Sequence, residues 1–297
     1  MLLPMADLLL GHLSGAADRI GFGAMPLSLA GRPDESEAVK VLHRVFDAGI
    51  RFIDTADSYC IDDGDTHHNE RLVAKALALY GGRAEGIRVA TKGGLLRPKG
   101  AWVRDSNPLR LWKTIRESHE ALGGREPIFL WQHHAPDPNY SADEVFAPVR
   151  EALEEGLIAH VGVSNYSVRE IEQARELVAV VSVQNQFSLW HRNPERDGVL
   201  EYCTREKLTF IAWRPLGGKH GAAALAEMEP LAHLAREKGV SPQRLVLAWM
   251  VGKWPVILPI PGASSIVHAD SLVHPAEVVL SEEEIALIDT VQASASA

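Results

Sequence analysis

Residues 50–59 read IRFIDTADSY, an apolar run that turns polar at Asp54 and reaches an aromatic hydroxyl at Tyr59. Seven other short runs of the same apolar character occur along the chain. Runs with few polar interruptions are typical of parallel strands that are buried on both faces of a sheet. The eight predicted strands occupy residues 19–25, 50–56, 87–93, 127–133, 159–165, 180–186, 208–214 and 255–261.

Longer stretches with helical periodicity separate most of the predicted strands. The first predicted helix begins after Asp34, a residue type that caps helices, and ends at Gly49. The others follow Asn69-Glu70 as far as Gly81-Gly82 and span residues 107–123, 141–155, 167–177 and 241–252. Strand and helix repeated eight times predicts an α/β fold, a single (β/α)8 TIM barrel with a parallel eight-stranded core, over residues 1–297. A doubly wound sheet is the alternative, but residues 21–26, GFGAMP, lack the third glycine of its nucleotide-binding turn.

The composition narrows the possible classes of protein. Of the 297 residues, 46% are hydrophobic and 23% are charged, as in ordinary globular proteins. The formal net charge of −9 argues against a nucleic-acid binder, which needs a basic face. The two cysteines give no disulfide framework and favour the reducing cytoplasm.

The chain opens with MLLPMADLLLGHLSG, which is apolar but has no basic segment and is too short to cross a membrane. We expect this segment to form a strand or hairpin that plugs the barrel, and a signal peptide is the alternative. No other segment approaches the roughly 18 uninterrupted apolar residues of a membrane-spanning helix, so no membrane partner is predicted.

Four polar residues lie at or just past the C-terminal ends of three neighbouring predicted strands: Asp54, Tyr59, Lys92 and His134. Barrel enzymes collect their chemistry at this end of the strands. A phenol can protonate a carbonyl oxygen while a hydride reaches the carbonyl carbon. We expect the ammonium of Lys92 to lower the pKa of Tyr59, and Asp54 to balance the charge of that ammonium. His134 would donate to the carbonyl oxygen and orient it. Each residue alone has an ordinary structural explanation, but their joint position predicts a catalytic site.

At these residues the sequence resembles the aldo-keto reductases, whose Asp–Tyr–Lys–His tetrad lies in motifs of this kind. Four later segments match the family in order, namely AHVGVSNY (159–166), VQNQFSLW (183–190), FIAWRPLGG (210–218) and VILPIPGASS (256–265). The resemblance implies NADPH-dependent reduction of a small-molecule carbonyl substrate, with Tyr59 as the proton donor. The family pattern of histidine, one residue and Pro-Asp selects His134 rather than His133. Strand alternation sends the two imidazoles to opposite sides, so His133 is predicted to pack behind the site.

The resemblance also implies a cofactor site at the strand ends. Ser164, Asn165 and Gln184 match residues that bond the nicotinamide carboxamide, and Trp213 matches a ring stacked on the nicotinamide, although a core tryptophan is the alternative. The remaining predicted cofactor residues are Gly23 and Met25, the pyrophosphate loop Arg214, Pro215, Leu216 and Gly217, and the adenosine loop Gly262, Ser264, Ser265 and His268. The adenosine loop lacks the lysine and arginine with which better-known members hold a 2′-phosphate. NADPH is therefore the expected cofactor and NADH stays open.

The predicted substrate walls are Trp102, in the long loop after the third strand, and Trp190, after the sixth. The loop CIDDGDTHHNER (60–71) is dense in aspartate and histidine. It is either an ordinary solvated loop or a polar rim that selects a hydrophilic or cationic aldehyde. This loop and the ILPIPGASS ending look most like bacterial members related to pyridoxal reductases. The oligomeric state stays open.

Two other functions remain as alternatives. A non-catalytic regulatory subunit could keep the cofactor pocket of the same fold. A metal-dependent barrel hydrolase is suggested by 13 histidines, but it would need a His-x-His pair on the first strand, which RIGFGAM lacks, so no metal site is predicted. Cys60 is expected to be a buried structural thiol rather than a nucleophile.

Overall fold

The computed structural model describes residues 19–274 and 277–291. Eight parallel strands form one sheet in which each strand pairs with its neighbours along the chain. This confirms the predicted parallel eight-stranded core. The strands are β1 (Phe22–Gly23), β2 (Phe52–Asp54), β3 (Arg88–Gly93), β4 (Ile128–His133), β5 (Ile158–Ser164), β6 (Val180–Gln186), β7 (Thr209–Trp213) and β8 (Ile257–Ile260).

Two backbone hydrogen bonds close the sheet into a barrel. The N–H of Gly21 donates to Pro259 O at 2.9 Å, and the N–H of Gly23 donates to Pro261 O at 3.0 Å. A Cβ atom at Gly23 would lie 2.9 Å from the carbonyl oxygen of Ile260, so the last strand can approach the first only because this residue has no side chain.

Helices surround the barrel on its outer face. The predicted caps are confirmed at Asp34, which accepts from Glu37 N, and at Ser141 and Ser167, each of which begins a helix with a reciprocal capping box. The helices are α1 (Glu35–Asp47), α2 (His68–Tyr80), α3 (Pro108–Ala121), α4 (Ala142–Glu154), α5 (Val168–Arg175), α6 (Asn193–Arg196), α7 (Val199–Glu206), α8 (Gly218–Ala224), α9 (Glu229–Lys238), α10 (Pro242–Lys253), α11 (Ile266–Asp270) and α12 (Glu282–Val291).

The start of α2 differs from the sequence expectation, because the helix begins at His68 and includes Asn69 and Glu70. Both side chains are fully buried. Asn69 accepts from the hydroxyl of Thr55 at 2.6 Å and donates to the carbonyl oxygen of Ala24 at 2.9 Å. Asn69 therefore fastens α2 to the loops after the first two strands, and Glu70 accepts from the hydroxyl of Thr91 in β3, so neither residue caps the helix.

The barrel interior changes from apolar to polar along the strands. An inner cluster fills the lower barrel, and a larger outer core lies between strands and helices. The next inward-facing position after three members of the inner cluster is polar, at Asp54, Lys92 and Gln132. Successive residues of a strand face opposite sides, so these three lie in one layer near the C-terminal ends. The inner cluster consists of Phe52, Ala90, Leu130, Val181, Ile211, Leu258 and Ile260.

Two further sequence expectations concern the ends of the chain and membranes. The predicted plug strand or hairpin falls on residues 1–15 and lies outside the described residues. In the part of the chain that the structure describes, no helix has the length and apolar character needed to cross a membrane.

Candidate active site

The structure brings the four predicted catalytic residues together at the C-terminal mouth of the barrel. Asp54 ends β2, Tyr59 lies in the loop that follows, Lys92 is in β3, and His134 comes directly after β4. The Nζ atom of Lys92 lies 2.5 Å from Asp54 Oδ1 and 3.0 Å from the hydroxyl oxygen of Tyr59. All four side chains are buried, with 7% exposure at most.

Lys92 keeps a charged ammonium in a fully buried position. A third hydrogen bond, to the carbonyl oxygen of Thr55 at 2.9 Å, uses the remaining proton of the ammonium. Burial lowers the pKa of Lys92, but the charges and hydrogen bonds of Asp54 and Tyr59 outweigh it, and the net pKa is raised. Lys92 is therefore protonated wherever Tyr59 could act as an acid.

Asp54 is held by two amides that complete the polar layer. Its second oxygen accepts from Gln184 Nε2 at 2.8 Å and from Gln132 Nε2 at 3.4 Å. Gln184, which the sequence predicts to bind the nicotinamide carboxamide, is 1% exposed. In this structure its side-chain amide donates to Asp54. Gln132 was missed by the sequence analysis, although the alternation of Leu130, Gln132 and His134 along one strand could have indicated its inward position.

The direction of the Tyr59 pKa corrects the sequence expectation. We expected Lys92 to lower the pKa of the phenol. Burial of Tyr59 raises it by more than the neighbouring ammonium lowers it, and the charge of Asp54 adds to the rise, so the net pKa lies above the ordinary value. The phenol is therefore held in its protonated form, which is the form that can donate a proton.

His134 and His133 occupy opposite sides of the barrel wall, as predicted. The ring of His134 meets Tyr59 edge-on, with 5.8 Å between ring centres. Burial, reinforced by the charge of Lys92, holds the pKa of His134 well below its usual value, so this imidazole is neutral. His133 points outward, where its nitrogens bond the hydroxyls of Ser106 at 2.8 Å and Tyr166 at 2.7 Å.

The residues predicted to hold the nicotinamide lie beside this cluster. Asn165 has a left-handed backbone with φ of 62°. Its amide nitrogen donates to His134 O at 2.9 Å and to the hydroxyl of Ser164 at 3.2 Å. The indole N–H of Trp213 donates to the amide oxygen of Asn165 at 3.2 Å, and Trp213 is partly buried at the top of the inner cluster. These contacts link the ends of β5 and β7 next to the tetrad.

The loop after β7 forms the wall of a cleft. Arg214 is exposed, Pro215 and Leu216 are buried, and Gly217 has a φ of 71°. A Cβ atom at Gly217 or Gly221 would lie 2.5 or 2.8 Å from the ring of Trp190. Trp190 therefore packs against the glycine loop. The cleft of about 450 Å³ is lined by Gln186, Ser188, Trp190, His191, Gly217, His220, Gly221 and Ala224.

The adenosine loop comes close to the first strand but is largely solvated. A Cβ atom at Gly262 would lie 2.6 Å from the carbonyl oxygen of Gly23, and Met25 begins a short turn beside it. Ser264 and His268 are exposed, while the hydroxyl of Ser265 accepts from the N–H of His268 at 3.4 Å and caps α11. The set offers hydroxyl and imidazole donors, which suits a phosphate group held near solvent. With the guanidinium of Arg214 and the tight glycines, the residues present fit an anionic dinucleotide.

Trp102 is the predicted substrate wall that the structure places at the tetrad. Its ring lies 6.3 Å, centre to centre, from both Tyr59 and His134, edge-on to each. The side chain is 46% exposed, so one part of the indole faces solvent at the mouth. Trp102 immediately precedes the second strand of a two-stranded antiparallel ribbon formed by Leu95–Leu96 and Val103–Arg104.

The acidic loop uses its carboxylates to hold its own backbone. Asp62 accepts from Gly64 N at 3.0 Å, Asp63 accepts from Arg97 N at 2.9 Å, and Asp65 pairs with Arg32. Cys60 at the start of this loop is buried, and burial raises the pKa of its thiol to about 11. These contacts favour a structural role for the loop, and the thiol has the properties of an unreactive residue.

A buried acidic group beside the site was missed by the sequence analysis. Asp57 is fully buried, and neither carboxylate oxygen has a hydrogen-bond partner among the described residues. Burial, reinforced by the neighbouring charge of Glu70, raises the pKa of Asp57 to about 7. Glu70 in turn bonds Nδ1 of His67 at 2.5 Å. Only the folding of α2 against β3 makes this cluster, so no local pattern in the sequence reveals it.

The histidine pairs that suggested a metal enzyme have other contacts. His67 bonds Glu70, His68 bonds the hydroxyl of Ser28 at 2.8 Å, and His133 bonds two hydroxyls. Within residues 19–274 and 277–291, no group of three or more His, Cys, Asp or Glu side chains converges to hold a metal ion.

Comparison with known proteins agrees with this barrel fold. Residues 19–293 match the model of the Aldo/keto reductase family. The chain therefore belongs to that family of oxidoreductases, and the metal-dependent hydrolase is not supported.

Three relatives illustrate the match. An uncharacterized oxidoreductase of Schizosaccharomyces pombe is 36% identical over 92% of this chain and 86% of its own length. Pyridoxine 4-dehydrogenase of Escherichia coli is 27% identical over 92% of this chain and 94% of its own. The crystal structure of a thermostable aldo-keto reductase bound to the inhibitor epalrestat superposes with a TM-score of 0.77, at 27% identity, over 92% of this chain and 95% of that one.

Proposed function

We propose that this protein reduces an aldehyde or ketone to an alcohol with NADPH, and that Tyr59 donates the proton. The observation that carries the proposal is the buried ammonium of Lys92, which bridges Asp54 at 2.5 Å and the Tyr59 hydroxyl at 3.0 Å. A cation fixed beside a protonated phenol has little use in a packing role, because burying it is costly. It is suited to a phenol that becomes negatively charged during a reaction.

The proton transfer follows from these contacts. The carbonyl oxygen of the substrate gains negative charge as a hydride reaches its carbon, and the Tyr59 hydroxyl gives this oxygen its proton. The phenolate that forms is stabilised by the ammonium of Lys92, whose own charge Asp54 balances. His134 is neutral, and its Nδ1 lies 3.5 Å from the hydroxyl of Ser58. We assign its other ring nitrogen to a hydrogen bond with the carbonyl oxygen.

Groups at the strand ends would hold the cofactor. Ser164, Asn165 and Trp213 would bind the nicotinamide, Arg214 and Gly217 the pyrophosphate, and Ser264, Ser265 and His268 the 2′-phosphate. When bound, NADPH supplies the hydride. The exposed hydroxyls and imidazole of the last loop are weaker phosphate ligands than a guanidinium fork, so discrimination against NADH is expected to be modest.

Pyridoxal is the first substrate we propose to test. The similarity to pyridoxine 4-dehydrogenase of Escherichia coli covers 92% of this chain and supports the choice. Both cysteines are free and buried, which agrees with a cytoplasmic location, and we include that location in the proposal.

The test is a panel of aldehydes and ketones, pyridoxal among them, with NADPH and with NADH, followed by the absorbance of the reduced nicotinamide. We expect turnover with NADPH on at least one aldehyde. Tryptophan fluorescence with each cofactor in the absence of a carbonyl compound gives the matching binding measurement. Cofactor binding without turnover on any member of the panel would instead favour the non-catalytic regulatory subunit.

A further inference from the structure

The loop after β3 contains an arginine that the proposed reaction does not use. Arg97 is 7% exposed, and its guanidinium carbon lies 3.8 Å from the centre of the Trp102 ring. Its Nε atom donates to the carbonyl oxygen of Cys60 at 3.4 Å. Cys60 adjoins Tyr59 in sequence, and the indole of Trp102 meets Tyr59 edge-on. The ring of Trp102 therefore contacts both the guanidinium of Arg97 and the phenol of Tyr59.

Within the described part of the chain, Arg97 pairs with no carboxylate, unlike Arg192, an arginine of similar burial. Arg192 is 8% exposed and pairs with both Glu195 and Asp289. Among residues 19–274 and 277–291, the guanidinium of Arg97 forms no salt bridge, and its buried Nη1 atom has no hydrogen-bond partner. Asp63 of the acidic loop accepts from the backbone N–H of Arg97 rather than from its side chain.

An unpaired charge of this kind needs a partner. A guanidinium removed from water without a counter-charge is costly, and buried charges are normally paired with a carboxylate or used to hold a ligand. One face of the Arg97 guanidinium is stacked on Trp102 and its Nε is bonded to the carbonyl oxygen of Cys60, which leaves the two terminal nitrogens for a group that can accept two hydrogen bonds. Carboxylates and phosphates have this geometry.

We propose that Arg97 is the anion-recognition residue of the substrate site and binds a carboxylate or phosphate carried by the carbonyl substrate. Trp102 then forms the wall between the anionic group and the reacting carbonyl. This inference rests on the proposed reductase function and names its substrate class. It reverses the charge preference that the acidic loop suggests from sequence, because the aspartates of that loop bond backbone groups and Arg32.

Matched substrates test the proposal. The wild-type enzyme with NADPH is compared on 4-carboxybenzaldehyde, 4-formylphenyl phosphate and the neutral methyl 4-formylbenzoate. Removing a charged hydrogen-bonding partner should lower kcat/KM for the anions by roughly ten- to a hundredfold, mainly through KM. Arg97→Gln should therefore show this loss while its activity on the ester stays within about threefold of wild type. The two anions distinguish carboxylate from phosphate as the preferred group.

Arg104→Gln is the matched control, because Arg104 lies on the same ribbon and is exposed. It removes the same charge from the loop and should leave all three substrates within about threefold of wild type. Arg97→Lys keeps the charge but loses the planar fork, and should restore part of the activity on the anions. An equal loss on the ester and the anions in Arg97→Gln would mean a structural role and would overturn the proposal.

A binding measurement separates this inference from the proposed function. Terephthalate, a dianion without a carbonyl to reduce, should quench tryptophan fluorescence in the NADPH-bound wild type and in Arg104→Gln, but not in Arg97→Gln. Binding that survives Arg97→Gln contradicts the anion site. Absence of turnover on every aldehyde contradicts the reductase function alone, because terephthalate binding does not depend on chemistry.

Discussion

The two ends of the proposed cofactor cleft hold their polar groups in different ways. At the catalytic end, Lys92 is fully buried, and its ammonium donates three hydrogen bonds, to Asp54, to Tyr59 and to the backbone carbonyl oxygen of Thr55. At the adenosine end, Ser264 and His268 are exposed, and their hydrogen-bonding groups face solvent.

This difference in burial determines how strongly a substitution at each end should affect activity or binding. A buried polar group without its partner is costly, so the arrangement around Lys92 is fixed and intolerant of change. Exposed groups are screened by water and salt, so each contributes little and can be replaced by a neighbour. Substitutions should therefore have large effects at the tetrad and small effects at the adenosine loop.

The largest effect is expected from Tyr59→Phe. Phenylalanine keeps the ring against Trp102 and His134 but removes the proton. Carbonyl reduction should fall by at least about a hundredfold, the usual scale for loss of a general acid, while NADPH binding is retained. Steady-state kcat/KM and a fluorescence titration of the cofactor measure the two quantities. Turnover near that of the wild type would remove Tyr59 from the role of proton donor.

The second prediction concerns Asp57, which is buried beside the tetrad and whose carboxylate oxygens have no hydrogen-bond partner in the described ranges. Its pKa is raised to about 7 in the folded protein, against about 3.9 for an unfolded chain. Between these values the folded state binds the extra proton, so the free energy of unfolding should fall as pH rises through about 4 to 7. The full shift corresponds to at most about 4 kcal/mol above pH 7.

Asp57→Asn should remove this dependence, because the amide does not ionise. We expect the variant to be about 2 kcal/mol more stable than wild type near pH 8, since an unpaired amide keeps part of the cost. Near pH 4 the two proteins should be similar. Urea denaturation at several pH values gives the difference directly, and parallel curves for both proteins would show that Asp57 does not titrate in this range.

A smaller effect is expected from Trp213→Ala, midway between the two ends. If the indole covers the nicotinamide, its loss should weaken NADPH binding by roughly 1–3 kcal/mol, the scale of aromatic stacking on a base. Added NADPH should also quench the fluorescence of Trp213. The ring packs at the top of the inner cluster, so a core role is the competing explanation. Unchanged NADPH affinity with a lower melting temperature would favour that role.

The smallest effect is expected from His268→Ala at the adenosine loop. The exposed imidazole of His268 would donate to the 2′-phosphate, so its removal should lower the preference for NADPH over NADH by about threefold or less while NADH affinity stays nearly unchanged. The measurement is the ratio of the dissociation constants of the two cofactors in the wild type and in the variant. An unchanged ratio would mean that His268 does not contact the phosphate.

The sequence alone determined the barrel, the positions of its eight strands and the meeting of the tetrad. Each of these follows from local information: the apolar runs give the strands, Asp34, Ser141 and Ser167 begin helices, and strand alternation separates His133 from His134. Residues at the C-terminal ends of parallel strands meet at one mouth, so the proximity of Asp54, Lys92 and His134 could be predicted without coordinates.

Tertiary structure determined the features that depend on how deeply a side chain is buried and on which charged groups find a hydrogen-bond or ion-pair partner. The net pKa of Tyr59 is raised because its own burial outweighs the nearby ammonium, and no local pattern states how deeply a side chain is covered. The unpaired guanidinium of Arg97 stacked on Trp102 and the buried carboxylate of Asp57 arise in the same way. The sequence supplies the residues, but only packing between distant segments determines which charges find a partner and which do not.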